Sequence, residues 1–395
     1  MTLMNRDERW LLPEGVDEIL PSKAGAVEQL RRRLLDLYSS WGYELVFPPL
    51  IEFLESLLNG AGQDLERETY KVTDRLTGRL MGVRADITPQ VARMDAHSLR
   101  REGPVRLCYC STALRTRPAV PGGTRAPYQV GVELFGHDGV DSDVEVVSLM
   151  LATLNAACMT ETTLDLGHVG IYRALVAAAG LSEDQEFALT DIYMRKASTE
   201  LTDFLAGLTI EPTAAEALKA LPWLTGKEAI EKAEPLLANV SEDALQSLAQ
   251  VKAVIERVQA LHPNLHIHVD LGELRGYRYH TGCIFAVYSN GLSEAVAKGG
   301  RYNRIGEVFG RARPATGFSA DLKVLVNGLD APQVSTVYAP ADSDENLDTA
   351  VAQLRAQGQR VVRALGGCNS TPVELGCNQQ LVQQQGRWVL APLSS

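Results

Sequence analysis

The sequence predicts an α+β protein whose main sheet is largely antiparallel, with a helical insertion and a small α/β unit at its C-terminal end. Three observations lead there. Strand-like runs such as VRLCYC and YQVGVELFG are separated by hairpins and short helices rather than by a strict β-α alternation. From about residue 181 to 261 the chain is rich in Ala, Leu, Glu and Lys, with helical periodicity and few strand signals. Beyond Pro332 a short β-α-β pattern returns in STVYAP, NLDTAVAQLRAQG and RVVRAL. The expected division is a core over residues 1–330, carrying the insertion at about 181–261, and a small α/β domain over 331–395.

The elements follow in order. A helix is expected over residues 22–41: Ser22 is a plausible N-cap, Val27, Leu30, Leu34, Leu37 and Trp41 recur at helical spacing, and Gly42 is a stop. YELVF is extended and ends at Pro48-Pro49, which cannot continue a sheet ladder. KVTDRLTGRLMGVRAD reads as a hairpin turning through residues 74–78. VRLCYC and YQVGVELFG are two more strands, joined by the Pro/Gly-rich loop RPAVPGGTRAP. A helix is expected over about 141–158, with Val144, Val147, Leu151 and Leu154 on one side. After the insertion, strand character resumes at LHIHVDL, runs through GYRYHTGCIFAVYS and ends in a Gly-rich turn, KGGRYN. ATGFSADLKVLVNGL reads as a strand entering a helix.

Composition narrows the function classes. Over 395 residues, 45% hydrophobic and 22% charged side chains describe a globular protein with an ample core. The balance of 38 Lys+Arg against 49 Asp+Glu gives a net charge of −11, the opposite of the basic surplus typical of chains that track phosphate backbones. No apolar run approaches the roughly 20 residues of a membrane-spanning helix. The N-terminal MTLMNRDERW carries charges where a signal peptide places its apolar stretch. Six cysteines in a chain this long are no disulfide framework, and Cys108 and Cys110 read as small hydrophobes on one strand face. A reduced, cytoplasmic protein is expected. His262, His266 and His268 lack the partners that would complete a metal site, and the run Arg31-Arg32-Arg33 reads as a solvated helix face. Asp270 and Glu273 could pair with Arg275 or Arg278. There is no GxxxxGK[ST] and no strand-GxGxxG-helix fingerprint.

Five segments, in order over about residues 10–330, resemble the class II aminoacyl-tRNA synthetase core and its histidyl branch. The long helix with GYELVFPPLIE is similar to the dimer-forming first motif, its proline at Pro48. VRADITPQVAR looks like the RPEGT segment that contacts the amino-acid substrate. CYCSTALRTRP with YQVGVELFG resembles the second motif, LRGYRYHTG the histidyl signature RGLDYY, and KGGRYN with ATGFSADLKVL the GGRYD turn and third motif.

The departures bear on activity. Adenylate formation needs arginines on the triphosphate and a carboxylate on the adenine amine. Arg115 keeps the second-motif arginine, but Arg117 occupies the glutamate position, and a fixed cation cannot accept a hydrogen bond. The third-motif arginine falls on Val324 and the preceding acidic residue on Lys323. In the histidyl signature Arg275 and Tyr279 are kept, while Arg278 replaces an aspartate and His280 a tyrosine. The amino-acid side is better preserved. The resemblance implies that Asp86 and Thr88 meet an α-amino group, that Gln129, Glu133 and Tyr302 line a histidine pocket, and that Arg275 takes a carboxylate. The candidate histidine-binding set is therefore Asp86, Thr88, Arg115, Gln129, Glu133, Arg275, Tyr279 and Tyr302. The alternative for these residues is a buried polar core kept for structure alone.

Within this superfamily the sequence is most similar to the synthetase-like regulatory subunits of ATP phosphoribosyltransferase. That resemblance implies a non-catalytic chain without cofactor, metal or tRNA. It would form a dimer through the core and associate with the short catalytic subunit in a hetero-octamer. There it would activate the first step of histidine biosynthesis and mediate feedback inhibition by free histidine. Residues 331–395 are too few, and too weakly basic, for the anticodon-binding domain of a true synthetase. Two rivals stand beside this: an active histidyl-tRNA synthetase, and a stand-alone paralogue that binds free histidine.

Overall fold

The computed structural model describes residues 10–58, 62–329 and 335–393, in two compact units divided at 330/331. The N-terminal residues 1–9, read above for a leader, and the proposed domain boundary lie outside the described residues.

Helix α1 (Pro21–Ser40) begins one residue before the expected cap. Leu20 is its N-cap without a side-chain bond, and Pro21 supplies the start, its fixed φ suited to a first helical turn. Gly42 follows at φ 83°, and β1 (Glu44–Leu45) leads to the prolines. A small sheet comes next, built from β2 (Ile51–Phe53), β3 (Tyr70–Thr73) and β4 (Leu80–Val83) in the order β2-β4-β3, with α2 (Leu54–Leu58) and α3 (Gly62–Glu68) between its strands. The β3–β4 hairpin turns where expected, Thr73 opposite Leu80. Helix α4 (Thr88–Arg93) continues as a π-turn over Met94–Leu99.

The main sheet adds β5 (Val105–Thr112) and β6 (Tyr128–Phe135), then, past α5 (Val140–Ala156), β7 (Thr162–His168). Helix α6 (Val169–Ala178) opens the helical region: α7 (Glu183–Met194), α8 (Ser198–Ala206), α9 (Pro212–Ala220), α10 (Ala229–Ala238) and α11 (Glu242–Leu261). Ser182 and Gln185 form a reciprocal capping box on α7, and Ser241 caps α11. Four strands close the core: β8 (His266–Val269), β9 (Cys283–Ser289), β10 (Ala297–Arg301) and β11 (Ala315–Asp321), the last running into α12 (Leu322–Leu325). The eight-stranded order is β1-β5-β6-β11-β10-β9-β7-β8. Its six inner strands are antiparallel, and only the edge pairs β1–β5 and β7–β8 are parallel.

Two expectations are corrected here. Residues 271–282 are turns and loop, not strand, so GYRYHTG leaves the sheet before CIFAVYS enters it. KGGRYN, expected as a turn, is mostly central strand β10. A Cβ at Gly299 would collide with the Gly317 carbonyl and sit 2.8 Å from the Phe318 Cα, so only glycine lets β10 and β11 approach this closely.

Alternation sorts the sheet into two faces. Cys108 and Cys110, Val130, Val132 and Leu134, Phe285, Ala297, Phe318 and Ala320 share one core with α1, α5 and α11. Each buried aliphatic chain there contributes about 1.5–3 kcal/mol. Arg301 joins this face through a buried ion pair with Asp143 of α5 (2.9 and 3.1 Å) and further bonds to Ser142 and the His137 and Gly139 carbonyls. The helical region packs a second core of its own around Tyr172, Leu189, Leu218 and Leu248.

The second unit holds β12 (Thr336–Ala339), α13 (Glu345–Ala356), β13 (Arg360–Arg363), β14 (Gln379–Gln384) and β15 (Arg387–Pro392), in the order β13-β12-β14-β15. The first three are the expected β-α-β; the β14–β15 hairpin carried no signal beyond Gly386 at φ 79° in its turn.

Candidate functional site

The opposite face of the large sheet is the floor of a cavity of about 280 Å3. Strand parity puts Gln129, Gly131 and Glu133 of β6 on that face, with Gly317 and Ser319 of β11, Lys298 and Gly300 of β10, and Ala286 of β9. Two glycines carve the depth. A Cβ at Gly317 would collide with Glu133 Oε2, and one at Gly131 would lie 2.6 Å from the Tyr109 hydroxyl. The walls are the start of α4, with Asp86 and Thr88, and the loop 271–282, with Arg275, Tyr279 and His280.

Glu133 is the centre. It is 1% exposed, and the hydroxyls of Tyr109 (3.1 Å) and Tyr302 both donate to it. Burial pushes its carboxyl up to about 8, against the hydrogen bonds from Tyr302, Thr88 and Tyr109 that favour the charge. Gln129 sits beside it and fixes Asp86: its Nε2 donates to Asp86 Oδ1 (3.0 Å), and its Oε1 accepts the Ile87 N–H (3.2 Å). Asp86 Oδ1 also accepts the Thr88 N–H (2.9 Å), so two bonds hold this carboxylate at the cavity wall by the head of α4. Two buried polar atoms of the cavity wall, Tyr279 Oη and His280 Nδ1, have no partner among the described residues. Burial holds the His280 imidazole down at about 4, so it is neutral near pH 7.

Of the eight candidate residues, the structure brings six to the cavity: Asp86, Thr88, Glu133, Arg275, Tyr279 and Tyr302. Gln129 stands behind them through Asp86. Arg115 is not on the cavity lining; its Nε donates to the Ala85 carbonyl (3.2 Å), which supports the segment that carries Asp86. Arg275 lines the cavity with its guanidinium engaged: Nε and Nη2 bond Glu273 (2.8 and 2.6 Å), and Nη2 also meets the Tyr288 hydroxyl (2.8 Å). Burial works to raise Glu273, but these bonds outweigh it and leave the carboxyl below its ordinary range. Asp270, in contrast to the expected arginine pairing, takes Lys196 of the helical region (3.1 Å).

The positions read as a lost nucleotide site look different. Arg117 is exposed in its loop, Lys323 pairs with Asp17 (3.0 Å), and Val324 packs against the main hydrophobic core. Arg125 of the same loop bonds the Arg115 and Glu14 carbonyls (both 3.1 Å). His268 pairs with Asp165 (2.8 Å), and among the described residues no group of three or more His, Cys, Asp or Glu could hold a metal. No helix is long and apolar enough to cross a membrane, again among the described residues.

Three site residues escaped sequence reasoning. Tyr109 was legible in principle, because it alternates with Cys108 and Cys110 and so faces away from their core. His280 was noted only as a replacement. Lys298 belongs to KGGRYN, where its place on a strand facing the cavity has no local signal.

Comparison with known proteins places the fold and the chain in a family. The family model for histidyl-tRNA synthetase matches residues 15–325, and the model for the ATP phosphoribosyltransferase subunit HisZ C-terminal domain matches residues 334–391. The ATP phosphoribosyltransferase regulatory subunit of Chromohalobacter salexigens is 50% identical over 98% of this chain and 99% of its own. That of Thioalkalivibrio sulfidiphilus is 51% identical over 99% of this chain and all of its own. Among solved structures, an ATP phosphoribosyltransferase regulatory subunit/histidyl-tRNA synthetase from Bacillus halodurans superposes with a TM-score of 0.81 at 26% identity, covering 93% of this chain and 96% of that one. A histidyl-tRNA synthetase from Nostoc shares the fold at 18% identity and a TM-score of 0.77, covering 97% of each chain. With a synthetase-type core, a regulatory-type C-terminal unit and full-length relatives at about half identity, this chain belongs to the family of ATP phosphoribosyltransferase regulatory subunits.

Proposed function

We propose that this chain is the regulatory, non-catalytic subunit of ATP phosphoribosyltransferase at the first step of histidine biosynthesis, and that its cavity binds free histidine as the feedback signal. One observation carries the reading. The amino-acid end of the cleft is an intact, mutually bonded set around Glu133 and Asp86, while the positions that would hold ATP carry Arg117, Lys323 and Val324. Asp86 offers a carboxylate to an α-ammonium. The buried Tyr279 hydroxyl and the Glu133–Tyr302 pair offer polar contacts to an imidazole. A site that keeps the amino acid and gives up the nucleotide suits a sensor better than a ligase.

The partner in this reading is the short-form catalytic subunit, in a cytoplasmic hetero-octamer with no tRNA, and the chain pairs with itself through its core. Exposed Leu45, Phe47, Leu50 and Ile51, in and beside the first-motif segment, supply an apolar surface for such pairing. Histidine would act by binding one arrangement of the complex better than another, a coupling of about 1–3 kcal/mol in typical cases.

The experiment is phosphoribosyltransferase activity of the short catalytic subunit from the same cell, with and without this chain, in a histidine titration. A raised rate and a new histidine sensitivity support the proposal. An unchanged rate and unchanged sensitivity reject it. Histidine-dependent pyrophosphate–ATP exchange by the purified chain would point instead to a synthetase.

A further inference from the structure

The cavity lining contains two long basic side chains, Arg275 and Lys298. They differ in what they already hold. Arg275 makes two bonds to Glu273 and a third to the Tyr288 hydroxyl, so its planar fork is filled from one side. Lys298 has no ion pair and no side-chain hydrogen bond among the described residues. It stands on β10 opposite Ser319 of β11 and Ala286 of β9, on the same face as Gly300. Its chain neighbours at 299 and 300 are glycines, and its cross-strand neighbours Ser319 and Ala286 are small.

The charges around the cavity sharpen the contrast. Of the five lining carboxylates, Glu273 takes Arg275, Asp165 takes His268, Glu133 takes two tyrosine hydroxyls, and Glu294, without an ion pair among the described residues, is exposed to solvent. Asp86 has Oδ1 filled by Gln129 and Thr88 and leaves Oδ2 open. An uncommitted carboxylate oxygen and an uncommitted ammonium on one cavity match the two charges of an α-amino acid.

We infer that Lys298, rather than Arg275, is the residue that recognises the α-carboxylate of the amino acid bound in this cavity, with Asp86 recognising its α-ammonium. The inference rests on the reading of the cavity as a histidine site and adds which group selects an amino acid over the corresponding amine. Lys298 is exposed to solvent at one side while its stem lies along the cavity; partial desolvation, with Arg115 and Arg275 nearby, holds its ammonium below the ordinary lysine range, against Asp86 and Glu294. An incoming carboxylate relieves that cationic crowding, which adds to the charge-assisted bond itself. Arg275 has a separate role: with Glu273 and Tyr288 it braces the loop 271–282 that carries Tyr279 and His280.

The test is calorimetric titration of the full chain with L-histidine and with histamine, which keeps the imidazole and amine but lacks the carboxylate. In the unmodified chain histidine binds at least about tenfold tighter than histamine, as expected for one charge-assisted contact. In Lys298→Met the histidine affinity falls by about tenfold or more while histamine binding is unchanged, so the preference collapses; the unchanged histamine value also reports an intact fold. Lys298→Arg restores most of the preference. Arg275→Gln keeps a histidine-to-histamine ratio close to that of the unmodified chain. If Lys298→Met retains the full preference, or if Arg275→Gln is the variant that loses it, the assignment of Lys298 is overturned while the histidine site stands. If the unmodified chain binds no histidine, the site reading and this assignment fall together.

Discussion

The two ends of the synthetase-type cleft have met different fates in this chain. Around Glu133, most polar groups are tied to one another: Tyr109 and Tyr302 bond Glu133, Gln129 bonds Asp86, and Asp86 caps the Thr88 N–H. At the nucleotide end, Arg117 is exposed and half-buried Val324 packs one side against the hydrophobic core. A buried network cannot lose one member without leaving its partners unsatisfied, at about 1–3 kcal/mol each. A residue in water carries no such penalty. The difference teaches that the amino-acid end resists single substitutions for structural reasons, quite apart from what it binds, and that the nucleotide end could be remodelled one residue at a time.

The largest expected effect comes from Gly317→Ala, which drives a methyl group into Glu133 Oε2 and to within 2.5 Å of the Val132 carbonyl. Both strands must give, so stability should fall by about 1–3 kcal/mol in denaturant titration and histidine binding should be lost in the same preparation. A stable, histidine-binding Gly317→Ala would mean that the network tolerates repacking and would erase the contrast between the two ends.

Glu133→Gln is milder. It keeps the shape but replaces a carboxyl that can gain or lose a proton with an amide that cannot, and histidine affinity should fall by about tenfold by calorimetry. An unchanged dissociation constant would move the effector site elsewhere. The same variant separates the structural role from the binding role through pH. Burial raises the Glu133 carboxyl to about 8 in the folded chain, well above its unfolded value of 4.5. The folded state therefore holds a proton that the unfolded state gives up. The stability this confers is complete below about pH 4.5 and is lost as pH rises toward 8. Midpoints of urea unfolding between pH 5 and 8 should fall less steeply in Glu133→Gln than in the unmodified chain, and parallel slopes would rule out Glu133 as the titrating group.

The smallest effects belong to the other end. Val324→Arg should cost about 1 kcal/mol or less, because its side chain is only half-buried, and it should create no adenylate formation in a pyrophosphate-exchange assay. Arg117→Glu should change stability by no more than about 0.5 kcal/mol, since its side chain lies in water. Detectable exchange in the double variant would show that the nucleotide end is closer to function than its packing implies.

Much of this arrangement is legible in the sequence. Period-two alternation placed β5 and β6, helical periodicity placed α1 and α5 within a residue or two, and the motif order brought six of eight candidate residues to one cavity. The errors have physical causes. Ser22 looked like a cap because serine often is one, but Pro21 starts the helix first. KGGRYN looked like a turn because paired glycines usually mark turns; here they let two central strands close up. GYRYHTG, rich in strand-forming aromatics, is held as a loop by tertiary contacts that no local pattern encodes. Whether a charged residue is already engaged, as with Arg275 and Lys298, depends on neighbours brought together from distant strands.

That loop has a consequence of its own. Residues 270–282 line the cavity on one side and are tied to the helical insertion on the other. Arg173 donates to the Tyr277 carbonyl, the Tyr277 hydroxyl meets Glu186, Lys196 holds Asp270, and Leu271 bonds back to the Leu224 carbonyl. The insertion also enters and leaves the sheet on the adjacent strands β7 and β8. Loop and insertion are thus one mechanical element. A ligand that quiets the loop must slow hydrogen exchange in α6 and α7 as well, and a partner that grips the insertion from outside must, by reciprocity, change how tightly the cavity closes.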